Sequence, residues 1–99
     1  MTRAALTIEG NKLALSGVLD FESVPDLDTQ GAQWLASAPA QCELDLGAVS
    51  YSSSVGLALV LGWLRAARQS NKTLAIKNMP ADMLALARVG GLDQLLTEA

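Results

Sequence analysis

Histidine is absent from this 99-residue chain and cysteine occurs once, at Cys42. Without them the common zinc sites, Ser-His-Asp triads and Cys-His pairs cannot be assembled, so no catalytic, metal or cofactor site is expected. A single cysteine closes no internal disulfide, and the opening MTRAALTIEG has no continuous apolar segment of the kind that directs secretion; a reducing, cytoplasmic setting is expected. Neither Gly56 nor Gly62 is followed by Lys-Ser or Lys-Thr, which excludes a nucleoside-triphosphate loop. The uncharged run Val55–Leu64 would span about 15 Å as a helix, half of a bilayer's hydrocarbon layer, so direct membrane insertion is excluded too.

Leucine and alanine fill much of what remains, with 18 and 16 residues in a chain that is 51% apolar. That supports one folded domain over 1–99 with its own core. The net charge of −3 argues against nucleic acid as a partner, because phosphate binding needs a basic surface. The charge is unevenly placed: residues 1–60 carry −5 and residues 61–99 carry +2.

Leu6 and Ile8 alternate with Thr7 and Glu9, and Leu13 and Leu15 with Ala14 and Ser16, so two strands are expected around a Gly10-Asn11 turn. Ser23, Pro25 and Asp26 form a helix-start signal with Ser23 as the cap; Leu27, Trp34 and Leu35 share one face, and Ala38-Pro39 ends the helix. A third strand follows at Cys42–Leu46, with Cys42 as a small core residue. Beyond the apolar helix, Thr73–Lys77 reads as a fourth strand, and Asn78 with Pro80 opens a helix through Val89 that Gly90-Gly91 stops. Residues 92–96 are either a helical turn or an edge strand. The order β-β-α-β-α-β-α gives an α/β class, with a mixed sheet of four to five strands and helices mainly on one face.

Information concentrates at Ser52, Ser53 and Ser54, where a helix start leaves backbone N–H groups unpaired. Capping explains hydroxyls there, and the same position suits a phosphoryl group. In the helix that follows, Leu57, Val60, Leu61, Leu64 and Ala67 supply a stripe for the core. The opposite face, with Val55, Leu59, Gly62, Trp63 and Ala66, carries no charge. Either the whole helix is buried or that face meets another protein; a short chain has little left to cover it, which points to a partner surface centred on Trp63. The carboxylates of Asp20, Glu22, Asp26 and Asp28 flank a helix start and read as dipole partners and surface charge, not as acid/base machinery.

Several segments together resemble the STAS domain family. Leu15-Ser16-Gly17-Val18-Leu19-Asp20 is similar to its second strand, Leu44–Val49 to its third strand and exit loop, Ser53-Ser54-Val55-Gly56-Leu57 to the Asp-Ser-Ser-Gly-Leu of anti-sigma-factor antagonists, and Gly91-Leu92-Asp93 to a common late motif. The resemblance covers nearly the whole chain and implies a STAS-type domain. Antagonists are phosphorylated at the position of Ser54, but Ser53 stands where they carry aspartate and Val55 where they carry a second serine. Gly56–Leu61 and Asn78-Met79-Pro80-Ala81 resemble instead the branch that serves as a cytoplasmic subunit of the Mla phospholipid ABC transporter. That resemblance implies a non-catalytic subunit at the inner membrane that binds an MlaF-like ATPase, in complex with an MlaE-like permease and an MlaD-like subunit. Ser52, Ser53, Ser54, Val55, Leu59, Trp63 and Ala66 would form the contact. The alternative is a partner-switching antagonist regulated by phosphorylation of Ser54.

Overall fold

The computed structural model describes residues 4–92. Strand β1 (Ala5–Glu9) turns at Gly10-Asn11 into β2 (Lys12–Leu19); helix α1 (Val24–Ser37), β3 (Gln41–Ser52), α2 (Ser54–Gln69), β4 (Thr73–Lys77) and α3 (Ala81–Val89) follow. The described sheet has four strands in the order β1-β2-β3-β4. β1 and β2 pair antiparallel, while the β2-β3 and β3-β4 pairs are parallel. A fifth strand or helical turn at 92–96 falls almost wholly outside the described residues.

Period-2 alternation does what it should on one face. Leu13, Leu15 and Leu19 of β2, Cys42, Leu44 and Leu46 of β3 and Leu74 of β4 share a single core with the buried residues of all three helices. The helices therefore cover one sheet face, as expected, and among the described residues nothing is packed on the other. Cys42 belongs to that core; burial pushes its thiol pKa up, against the pull of the Lys72 ammonium.

β3 runs six residues further than its alternation suggested, because two irregularities reset its phase. Between the pairs Ala14–Asp45 and Ser16–Ala48, and again between Gly17–Val49 and Val18–Tyr51, β3 carries one residue more than β2. Each insertion shifts the parity of β3 by one. Val49 and Ser52 consequently sit opposite Gly17 and Leu19 on the helix-covered side, and Tyr51 sits opposite Val18 on the other. Gly17, with φ +82°, supplies backbone freedom at this point that a side chain would resist.

The start of α1 also differs from the sequence reading. Ser23 has helical backbone angles and its hydroxyl caps no helical N–H. It bonds to the carbonyl of Val18 and accepts from the N–H of Asp20, whose carboxylate accepts from the N–H groups of Glu22 and Ser23. The aspartate thus organises the turn that the serine was expected to organise. At the other end, the Lys72 ammonium donates to the carbonyls of Leu35 and Ala36, a cation placed on the negative end of the helix.

α2 packs against both α1 and α3. Gly31 makes the first contact possible: a β-carbon there would fall inside the indole of Trp63. Replacing Gly31 by Ala should lower stability by about 1–3 kcal/mol. Gly62→Ala should raise it by about 1 kcal/mol, because a β-carbon at Gly62 meets nothing within 4 Å and alanine favours helix. Thermal unfolding of dilute protein measures both. On inner strand β3, the Asn78 amide, the Gly47 N–H and the Lys12 ammonium hold the Asp45 carboxyl below the ordinary carboxylate range. A lowered folded pKa means stability that is complete above the unfolded value near 4 and lost as pH falls through the folded one. The melting-temperature advantage of wild type over Asp45→Asn should therefore be present at about pH 6 and vanish towards about pH 2.

Candidate functional site

The three serines at the β3–α2 junction have three different fates. Ser52 is buried, at 2% exposure. Its N–H donates to the Asp82 carboxylate of α3 and its hydroxyl to the carbonyl of Ser53. Gly56 presses on it from α2, where a β-carbon would also stand 2.9 Å from that of Leu19. Ser52 thus ties β3 to α3 and offers nothing to a partner, against the sequence expectation. Ser53 is the cap of α2: its hydroxyl accepts from the Val55 N–H and its own N–H donates to the carbonyl of Leu19. Ser54 begins the helix and is exposed, so it is the one of the three whose side chain stands in solvent.

The apolar face expected to meet a partner is mostly covered from within. Trp63 is 3% and Leu59 5% exposed. At 100° per residue the buried positions of α2, from Leu59 and Trp63 round to Leu57, sweep an arc of about 160°. One flank of that arc lies on α1, where Gly31 lets the indole sink against the helix backbone. Trp63 and Leu59 are therefore core residues, and the division between core stripe and outer face read from the sequence was misplaced by roughly half a face. Val55 and Ala66 remain partly exposed at its margin.

What α2 presents outward is Ser54, Ala58, Gly62, Arg65, Arg68 and Gln69. Beside its first turn lies a shallow hollow of about 420 Å³ formed with the β2–α1 turn and the end of β3, lined by Asp20, Phe21, Glu22, Tyr51, Ser53, Ser54 and Val55. Phe21 is 73% and Tyr51 53% exposed. These two aromatics were missed by sequence reasoning: each stands alone among polar residues, outside any apolar period. The usable signal was their number. Of four aromatic residues, both tryptophans fall within apolar faces of helices and the other two have no such face to join. Among the described residues no three Cys, Asp or Glu side chains converge as a metal site would require, and no helix is long and apolar enough to cross a membrane.

The arrangement offers hydroxyl, carboxylate and aromatic groups at one end of α2 and arginines at the other. The family described as MlaB, STAS domain matches residues 3–97. No curated protein sequence matches. Among solved structures, the fold is similar to that of the anti-sigma factor antagonist SpoIIAA in its unphosphorylated form, at 19% identity and a TM-score of 0.67, over 88% of this chain and 83% of that one. It is similar also to an anti-sigma factor antagonist from Mycobacterium paratuberculosis, at 20% identity and a TM-score of 0.71, over 93% and 80% of the two chains. A segment of Mglu, 19% of that protein, resembles 78% of this chain at 18% identity with a TM-score of 0.59. At such identities the likeness to these structures concerns the fold alone.

The placement of Trp63 has a measurable consequence. Its indole N–H is buried without a hydrogen-bond partner among the described residues, a deficit of about 1–3 kcal/mol. Trp63→Phe removes the orphaned group and should cost less than about 1.5 kcal/mol, whereas Trp63→Ala should cost about 3–5 kcal/mol through the cavity it leaves. Chemical denaturation distinguishes the two, and a Trp63→Ala protein as stable as wild type would refute the core assignment.

Proposed function

This chain belongs to the STAS domain family, and from that premise we propose that it is the non-catalytic STAS subunit of an Mla-type phospholipid ABC transporter, which maintains outer-membrane lipid asymmetry. In this reading it is cytoplasmic, held at the inner membrane by binding an MlaF-like ATPase in complex with an MlaE-like permease and an MlaD-like subunit. The family description carries the proposal. The site suits a contact surface: Ser53 caps the helix, as an aspartate in its place would, and Ser54 stands exposed beside Phe21, Tyr51 and Val55. The contact surface is accordingly drawn on Ser53, Ser54, Val55 and Ala66, with Phe21 and Tyr51 added and Ser52, Leu59 and Trp63 withdrawn.

The mechanism needs no chemistry on this chain. A subunit that binds one conformation or assembly state of the ATPase more tightly than another stabilises that state by its differential affinity, and by no more than that. ATP and Mg²⁺ would be held by the ATPase.

The second reading, an anti-sigma-factor antagonist switched by phosphorylation of Ser54, has one observation in its favour: the hydroxyl lies exposed at the N-terminus of α2, where backbone N–H groups and the helix dipole stabilise a phosphoryl dianion. Affinity purification of the tagged chain from its own cells in mild detergent separates the two. The transporter reading expects an ABC ATPase with its permease, recovered about tenfold less with Ser54→Arg and undiminished with Trp63→Phe. Recovery of a soluble kinase that places phosphate on Ser54 would replace it with the antagonist reading.

A further inference from the structure

We infer that the chain associates with a second copy of itself through the outward face of α2, with Arg65 of each copy entering the hollow of the other. The hollow joins the carboxylates of Asp20 and Glu22 to the rings of Phe21 and Tyr51. This is the environment that a guanidinium favours, since the acids attract its charge and the rings accept its planar face. The aromatic pair is exposed and gains contact only from something outside the described residues.

The chain itself carries the matching cation. Arg65 is eleven residues beyond Ser54, which places it about 16 Å along the helix and only about 20° from Ser54 around its axis. It is exposed, and among the described residues it makes no ion pair. Two copies laid antiparallel about a two-fold axis, midway between the levels of Ser54 and Arg65, bring each Arg65 to the other's hollow. That axis passes between Ala58 and Gly62, both exposed. A β-carbon at Gly62 meets nothing within 4 Å, so backbones can approach closely just where the pairing requires it. Gly62 weakens its helix and has no packing reason within the described chain, unlike Gly31 and Gly56. The same arrangement sets the acidic end of one copy against the basic end of the other, in keeping with the opposite charges of the two parts of the sequence.

The pairing uses the face on which the proposed ATPase contact lies, so the two associations exclude each other, but it does not depend on that proposal. It is measured on the isolated full chain. Sedimentation velocity from about 1 µM to about 1 mM should show a dimer with a Kd of about 10 µM to 1 mM, the range of a small polar interface. The Kd should rise about tenfold or more between low and high salt. Arg65→Glu and Glu22→Lys should each remain monomeric. The double variant should dimerise again, because in a symmetric pair each reversed charge meets a reversed partner. Circular dichroism establishes that the variants are folded. Wild type that is monomeric at about 1 mM, a dimer indifferent to both single changes, or a double variant that stays monomeric would each overturn the inference.

Discussion

The contact between Trp63 and Gly31 governs what this protein can show to the outside. A flat indole laid on a glycine lets α1 and α2 approach closely, and the approach rotates the most apolar flank of α2 away from water. With α3 on the other side, the helix is buried over somewhat less than half its circumference, and the uncovered part is small and polar in its middle. Burial of a tryptophan and a leucine at this seam contributes about 1.5–3 kcal/mol for each side chain, which outweighs the unpaired indole N–H. The seam is therefore maintained, and any partner of α2 must be recognised by residues with little apolar signal in the sequence: a serine, an alanine, a glycine, a glutamine and two arginines.

The second constraint is the phase of β3. The first extra residue turns Val49 inward and the second restores the original phase, so that Ser52 ends inward and Tyr51 outward. Had the strand kept strict alternation after Leu46, the parity of the next six residues would have been decided by position alone, with Ser50 and Ser52 inward and Val49 exposed. The two insertions instead give the half-buried Val49 to the core and bring the strand's last residue to where its N–H meets Asp82. Fixing Ser52 fixes the angle at which Ser53 caps α2, and so the direction of Ser54. The hollow beside it depends on this sequence of local choices, with Asp20 completing the wall by organising the β2–α1 turn.

Much of the architecture was legible because it rests on periodicity and on punctuation by glycine, proline and asparagine. Leu13, Leu15, Cys42, Leu44 and Leu74 declare a one-sided sheet, and Leu27, Trp34 and Leu35 declare the inner face of α1. The helix-start signal at Ser23 located α1 correctly but credited the wrong side chain, since Asp20 organises the turn through the N–H groups of Glu22 and Ser23, ahead of those a Ser23 cap would take. The extent of β3 was hidden because a bulge leaves no compositional trace. The burial of Trp63 was hidden for a different reason: it depends on Gly31, a residue distant in sequence whose meaning is the absence of a side chain. An apolar period on α2 could say that two flanks were hydrophobic, but not that α1 carried a depression to receive one of them. Phe21 and Tyr51 escaped because isolated aromatics in polar turns have no period at all.

The resulting surface has opposite charge at its two ends, and that polarity limits the kinds of association open to it. A partner lying along α2 must place basic groups near Asp20 and Glu22 and acidic or neutral groups near Arg65 and Arg68, because a like-charged arrangement carries a repulsive cost at each end. An antiparallel second copy meets that requirement by symmetry. A different protein must meet it by its own sequence. A serine at the head of the stripe adds a possible change of sign: a phosphoryl dianion on Ser54 would deepen the negative potential of the acidic end, favouring cationic partners and repelling acidic ones. The face is thus specific through its charge order more than through its apolar area, which is consistent with its largest apolar residues having been taken into the core.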